Sequence, residues 1–442
     1  MRVLLLNPPS KVPLMRDCFA VTSKSSLYLW HPLDLLVQAG HLSGHDLAVL
    51  DCTASRLGPR EAHARIDAFR PEAVLSLVGH PVLDEDLAFL ETVKRKHGCV
   101  VFASGDETYG KRAAFLEEHP FVDGVLFDFV SSGFKRFLES GEVHGAACRV
   151  SGRVVVDERV DDLDYGIPRH EIFPLRRYYL PYWERPFASV YTSHGCNQRC
   201  SFCMVPGLGR PRFRPQEQVI DELKRLSAQG VTNVFFRDAS FNLSAKRTEA
   251  LCGEIASTVE VRFASWVKPR PLSDGLVAAM RDAGSYVVHI GIETGSDALL
   301  AKMGKGFTVA DAVRCVDLFK AHGIRVVGHF LLGLEGESEA SIADTLALLR
   351  DVQLDLVSVS IFEERYGTGA SQRSRLSDAE LKRQTLRAYR TFYLRPGRLR
   401  DLRRFVESPR HLVQALYRGS SYLGHLRLYP RFAALRGASP NQ

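Results

Sequence analysis

Two successive series of short apolar segments, each followed by an amphipathic stretch, constrain this chain more than any other feature. In the first series the apolar segments are Val3–Leu6, Leu47–Asp51, Ala73–Val78, Val100–Ala103 and Val125–Phe127. Helical patterning lies at Leu33–Leu42, Arg60–Phe69, Leu83–Lys96, Lys111–Glu118 and Phe134–Leu138. Strands buried on both faces read as continuous apolar runs, and parallel neighbours need a crossover, usually a helix, between them. The series therefore predicts a parallel α/β sheet covered on both faces over residues 1–145.

The second series begins at Ala188. It predicts strands at Ala188–Tyr191, Asn233–Phe236, Val261–Val267, Tyr286–Ile290, Arg325–Leu331 and Leu356–Ser360. Helices are predicted at Pro215–Gln229, Lys246–Thr258, Ser273–Ala283, Val309–His322 and Glu339–Val352. Six βα units, rather than eight, predict a partial (β/α)6 barrel over residues 187–370. The five units of the first series fit a flavodoxin-like, doubly wound domain. In both architectures ligands sit at the carboxyl ends of the strands.

Residues 146–186 connect the two. They begin with hairpin chemistry, β-branched residues flanking Ser151-Gly152, and continue through a stretch rich in Asp, Pro, Tyr and Arg. Residues 371–442 read as a basic, helical cap. From Arg375 to Arg436 there are fifteen Lys/Arg against four Asp/Glu, while the whole chain carries only +7. Tyr389, Phe392 and Tyr393 recur at helical spacing there, so a packed helix with a solvated basic face is expected, ahead of contact with nucleic acid or anionic lipid.

No apolar stretch approaches the ~18 residues that would span a bilayer. Met1–Leu6 runs straight into Asn7-Pro8-Pro9, so no secretory leader is read. The expected setting is the cytoplasm, with thiols reduced. Of nine cysteines, six are scattered and three form Cys196-x3-Cys200-x2-Cys203. An odd count in a reducing compartment argues for a local metal site.

That triplet follows the first strand of the second series, on a loop at a strand's carboxyl end. Three soft thiolates can hold three irons of an iron–sulfur cubane and leave the fourth open to a chelating ligand. Gly195 allows a sharp turn before the first cysteine. The bland reading is a structural zinc site completed by Cys252 or a histidine. Zinc sites usually show a second close pair of ligands, and none exists here.

With Phe202 before the last cysteine, the segment Cys196-Asn197-Gln198-Arg199-Cys200-Ser201-Phe202-Cys203 resembles the signature of the radical S-adenosylmethionine (SAM) superfamily. Three further elements resemble that family in the same order: Phe236-Arg237-Asp238-Ala239-Ser240, Gly291-Ile292-Glu293-Thr294-Gly295-Ser296, and the run Gly328–Glu337. The resemblance implies that Cys196, Cys200 and Cys203 bind a [4Fe-4S] cluster whose open iron is chelated by SAM. It implies that Asp238 or Ser240 holds the SAM ammonium, that Glu293 touches its ribose or amino group, and that Phe202 packs at the cofactor. One-electron cleavage would then yield a 5′-deoxyadenosyl radical that abstracts a substrate hydrogen. The implied partners are a small-molecule substrate and an electron donor such as flavodoxin or ferredoxin; nucleic acid is not expected. Lys268-Pro269-Arg270 departs from the Arg-x-Asp step common in relatives.

The first domain resembles the cobalamin-binding domain that precedes many such barrels, on Val3–Pro9 and Pro32–Leu42, with Asn7 and Pro8 placed at the cofactor. That order of domains implies cobalamin-dependent C-methylation. Two loops depart from the pattern, Ala103–Thr108 and Phe127–Ser132, and no D-x-H-x-x-G is present. The alternative within the family is cobalamin-free radical dehydration or deoxygenation of a sugar. A non-catalytic iron–sulfur or zinc scaffold with a basic tail is the alternative from another class. His80, His194 and His329 lie near predicted strand ends, where each is more often structural than catalytic.

Overall fold

The computed structural model describes residues 1–11, 14–16, 22–23, 28–362, 373–395, 405–414 and 417. Cys18 and most of the basic segment after 395 lie outside the described residues.

The first sheet has seven strands: β1 (Arg2–Asn7), β2 (Asp46–Asp51), β3 (Ala73–Leu77), β4 (Val100–Ser104), β5 (Gly124–Leu126), β6 (Ala146–Val150) and β7 (Arg153–Asp157). Their order is β2-β1-β3-β4-β5-β6-β7, the first five parallel and the last two antiparallel. The 2-1-3-4-5 order is the flavodoxin-like one, with its crevice where the order reverses between β1 and β3. The hairpin expected in the connection is present, but β6 pairs with β5 and extends this sheet. The single helix expected at Lys111–Glu118 is two, Asp106–Lys111 and Ala113–Glu118, broken at Arg112 with φ 52°.

The second sheet has six strands: β8 (Phe187–Val190), β9 (Asn233–Phe236), β10 (Arg262–Val267), β11 (Ser285–Glu293), β12 (Arg325–Leu332) and β13 (Leu356–Ile361). They lie in sequence order and are all parallel, a partial barrel. Their outer faces, with Val234, Phe236 and Ile290, pack on Leu223, Leu251, Ile255 and Phe319 of the returning helices. Burial of each such side chain stabilises the fold by about 1.5–3 kcal/mol.

An open barrel leaves an edge strand. Here the helix Asp378–Tyr393 covers β13, and the hydroxyls of Tyr389 and Tyr393 accept from Val359 N (2.9 Å) and Val357 N (3.2 Å). Pairing the edge amides in this way prevents them from templating another chain. The segment before β8 is packed rather than loose. Phe173, Tyr178, Tyr182 and Trp183 are buried in one core with the inner-facing Phe235, Ala264 and Val287, so they fill the bottom of the barrel. No described helix is long and apolar enough to cross a membrane.

Candidate active site

The chain leaves β8 through Tyr191 and Thr192 and forms a short antiparallel bridge, Ser193–His194 with Arg212–Phe213. That bridge closes a loop carrying all three cysteines. Gly195 has φ 82°, and a Cβ there would lie 3.2 Å from Arg210 O. Left-handed backbone beside a close carbonyl is why glycine precedes Cys196.

The loop's base is pinned by Asp238, at the end of β9. Its Oδ1 accepts from Thr192 N (2.7 Å) and Ser193 N (2.9 Å), and its Oδ2 from Thr192 Oγ1 (2.5 Å). Its carboxylate is thus fully buried and bonded to the loop, while the family resemblance implies that it or Ser240 holds the SAM ammonium. Ser240 is buried too. Its Oγ donates to Asn242 Oδ1 (2.8 Å), and Asn242 in turn bonds the backbone of Lys268 at both N and O. The two residues therefore order the strand ends around the loop.

The other side of the loop is held by residues 303–305. Ser201 N donates to Met303 O (3.1 Å) and Gln198 Nε2 to Lys305 O (2.8 Å). Lys305 lies buried over the rings of Phe202 (5.6 Å) and Phe307 (5.3 Å). Its Nζ donates to Glu293 Oε1 at 2.8 Å. Burial lowers the pKa of this ammonium, but Glu293 and then Cys200 outweigh that and hold it above its usual range. Glu293 itself sits at φ 66°. A non-glycine residue there stores strain of about 1–3 kcal/mol, which clusters at functional sites. Lys268, from the departing Lys-Pro-Arg step, donates from Nζ to Asn197 Oδ1 (2.6 Å).

The sequence reading missed Lys305, Asn197 and Gln198. The available signal was a lysine between Gly304 and Gly306, both at positive φ.

Among the described residues no three His, Cys, Asp or Glu side chains converge on one ion-sized point. A cubane spreads its thiolates over separate irons instead. Cys196 and Cys203 are partly exposed and Cys200 is buried. Burial pushes the free Cys203 thiol up to about 11 and raises Cys200. The cationic Lys305 and the nearby Lys268 offset the charge of thiolates at this loop. Three thiols on one pinned loop, flanked by two ammonium groups, fit a three-thiolate cluster. Cys252 and Cys315 lie elsewhere, buried in the barrel core, and burial pushes each up to about 12.

The first domain touches this loop directly. Asp128, after β5, meets His194 Nε2 (2.8 Å) and Arg212 Nη2 (2.7 Å) of the bridge. His80 is instead at the surface beside Glu107, and His329 faces the barrel lumen, so the three histidines do not gather.

Asn7 and Pro8 lie at the end of β1, buried or nearly so. Arg16 Nη1 donates to Asn7 Oδ1 and Pro8 O, both at 2.9 Å, and the rest of its guanidinium forms a two-point pair with Asp86 at 2.8 and 2.6 Å. Asn7 Nδ2 donates to Asp51, which also accepts from Tyr178 OH (2.7 Å). Tyr109 bonds Asp34 and Ser104, and Gln38 bonds the carbonyls of Phe129 and Ser131. The carboxyl edge of the first sheet is thus closed by its own side chains.

The radical SAM superfamily pattern matches residues 190–349. A tRNA-2-methylthio-N(6)-dimethylallyladenosine synthase of Alkalilimnicola ehrlichii is 30% identical over 66% of this chain and 65% of its own length, so the match leaves out about a third of that relative. An uncharacterised methyltransferase of Pyrococcus horikoshii is 23% identical over 83% of this chain and 82% of its own. Among solved structures, TsrM of Kitasatospora setae, with cobalamin and a [4Fe-4S] cluster, superposes with a TM-score of 0.63 at 21% identity, over 83% of this chain and 76% of that one. OxsB, with aqua-cobalamin and SAM, gives 0.63 at 15% identity, over 91% and 56%. At such identities the likeness is one of fold: a doubly wound domain followed by a partial barrel.

Proposed function

We propose that this enzyme, whose residues 190–349 match the radical SAM superfamily pattern, cleaves SAM reductively and uses the resulting radical to take hydrogen from a small molecule held in the barrel. The carrying observation is the cysteine loop, pinned by Asp238 on one side and by residues 303–305 on the other, with Lys268 and Lys305 beside it. Cys196, Cys200 and Cys203 would hold the cluster, which when bound supplies the electron that splits SAM into methionine and a 5′-deoxyadenosyl radical. Asp238 keeps the loop's base in register with β9. The Lys305–Glu293 pair fixes the wall next to Phe202, and the packed connection below β8 keeps water from entering through the barrel floor. A reducing, cytoplasmic setting with a flavodoxin- or ferredoxin-like donor belongs to this reading.

Cobalamin-dependent C-methylation is the second reading, supported by the fold shared with TsrM and OxsB. The described residues at the first sheet's carboxyl edge do not fit an open corrin site, because Arg16, Tyr109 and Gln38 bond across it. Those bonds favour the reading in which the chemistry above runs without cobalamin, as dehydration or deoxygenation of a sugar would, with the first domain as a wall of the site. Anaerobically reconstituted protein, prepared with hydroxocobalamin supplied, tests both. Release of 5′-deoxyadenosine with dithionite supports radical chemistry, and its absence overturns it. About one tightly held cobalt per chain would establish the methyl-transfer reading instead.

A further inference from the structure

We propose that His329 donates an N–H into the barrel lumen, and that the lumen takes a neutral, ring-bearing substrate carrying a hydrogen-bond acceptor. This rests on the radical SAM reading, which makes the lumen the substrate chamber.

The inner faces of β9 to β12 carry Phe235, Trp266, His289 and His329. Trp266 lies 4.9 Å from His289 and 4.4 Å from His329, ring centre to ring centre. Trp30, from the first domain, adds a further ring 6.2 Å from Phe235. A sealed core would bury all of these. Phe235, Ala264 and Val287, deeper in the barrel, are fully buried, whereas Trp30, Trp266 and His329 are each partly exposed. The aromatic layer is therefore a wall with an open face. Flat rings offer stacking area with a few fixed polar atoms among them, the usual make-up of a small-molecule site.

The polar atoms form one chain. Tyr182 OH lies 2.9 Å from His289 Nε2, and His289 Nδ1 lies 2.9 Å from His329 Nε2. Tyr182 is fully buried and has no other partner among the described residues. Its proton must therefore go to His289 Nε2, since the reverse arrangement would strand a buried O–H. His289 Nε2 then accepts, so its Nδ1 carries the hydrogen and donates to His329 Nε2. His329 in turn carries its hydrogen on Nδ1, the one ring nitrogen that bonds no described residue. A phenol at the barrel floor thus sets the tautomer of a histidine two links away.

The donor is neutral. Burial holds both imidazoles below their usual range, His329 at about 3, with Lys305 adding to the effect there. Such a donor suits a carbonyl, hydroxyl or ether oxygen or a ring nitrogen and does not require an anion. A second unpaired donor belongs to the same wall: the Trp30 indole N–H is buried with no partner among the described residues.

The test is nitrogen NMR on full-length protein labelled with 15N in its histidine rings, at pH 7, with benzamide as the neutral acceptor probe and benzylammonium as the charged comparison. Expected are two neutral rings, both protonated at Nδ1, and a shift of His329 Nδ1 on addition of benzamide but not of benzylammonium. Tyr182→Phe should release the tautomer of both rings, and His329→Phe should weaken benzamide about fivefold or more, the worth of roughly one hydrogen bond. A His329 ring protonated at Nε2 or cationic at pH 7, no benzamide binding, or binding indifferent to His329→Phe would overturn the proposal. The wild-type measurement stands even if a variant fails to fold. Release of 5′-deoxyadenosine by the same wild-type sample reports separately on the radical SAM reading.

Discussion

Asp128 of the first sheet and Arg212 of the cysteine loop form an ion pair, Oδ2 to Nη2 at 2.7 Å, across the boundary between the two folds. Arg212 is also the bridge residue opposite His194, so the first domain grips the loop at its closing strands. The His194 and Arg212 charges outweigh burial and hold the Asp128 carboxyl below its usual range. Removing one partner of a buried pair leaves the other uncompensated. Asp128→Ala should therefore cost about 2–4 kcal/mol in chemical unfolding and lower iron uptake on reconstitution. Asp128→Asn, which keeps an acceptor, should cost less. Wild-type stability and iron content in Asp128→Ala would show the contact to be idle.

Asp238→Ala removes three hydrogen bonds from the loop's base at once. Partners that orient metal ligands typically contribute 10- to 100-fold in affinity or activity. A loss of that order in SAM cleavage is expected, with the barrel still folded by circular dichroism. If Asp238 instead held SAM directly, iron loading would stay normal and only SAM binding would fall, so the two measurements separate the roles.

Such contacts mark where sequence reasoning ends. The strands were legible because each parallel strand is a local apolar run, and the cysteine triplet because its ligands lie within eight residues. Asp238 was picked out for its position at the end of β9, but what its carboxylate holds depends on Thr192, forty-six residues earlier. Arg16 was invisible as a plug of the first sheet's edge, because its partner Asp86 is seventy residues away. Lys305 stands in a Gly-Lys-Gly turn that carries no spacing signal of its own. Ser151-Gly152 carries the chemistry of a hairpin turn, yet only backbone pairing reveals that this hairpin joins the first sheet.

Glu337 gives a pH signature. One of its oxygens accepts from Gly333 N, the other is buried without a partner among the described residues, and burial lifts the carboxyl to about 7. Unfolded, it titrates at its ordinary value near 4.5. Between these values the folded state binds more protons, so its contribution is complete below about pH 4.5 and is lost as pH rises through about 7. The loss is on the order of 3 kcal/mol. In unfolding experiments from pH 4.5 to 8, Glu337→Gln should flatten this slope. An unchanged slope would place the titration elsewhere.

Cys252→Ala and Cys315→Ala should leave iron content and SAM cleavage unchanged and cost only packing, about 1 kcal/mol, since both thiols act as small hydrophobes in the barrel core. A lowered metal content in Cys252→Ala would bring back a four-thiolate site.

The central claim is that Cys196, Cys200 and Cys203 hold the cluster at which SAM is cleaved. Its most direct test is iron, sulfide and 5′-deoxyadenosine measured per chain after anaerobic reconstitution of the wild type and of each single Cys→Ala variant. The expected result is about four irons and steady 5′-deoxyadenosine release in the wild type, and folded protein with no cleavage in Cys196→Ala, Cys200→Ala and Cys203→Ala alike. Full iron loading with normal cleavage in any one of the three would contradict the assignment.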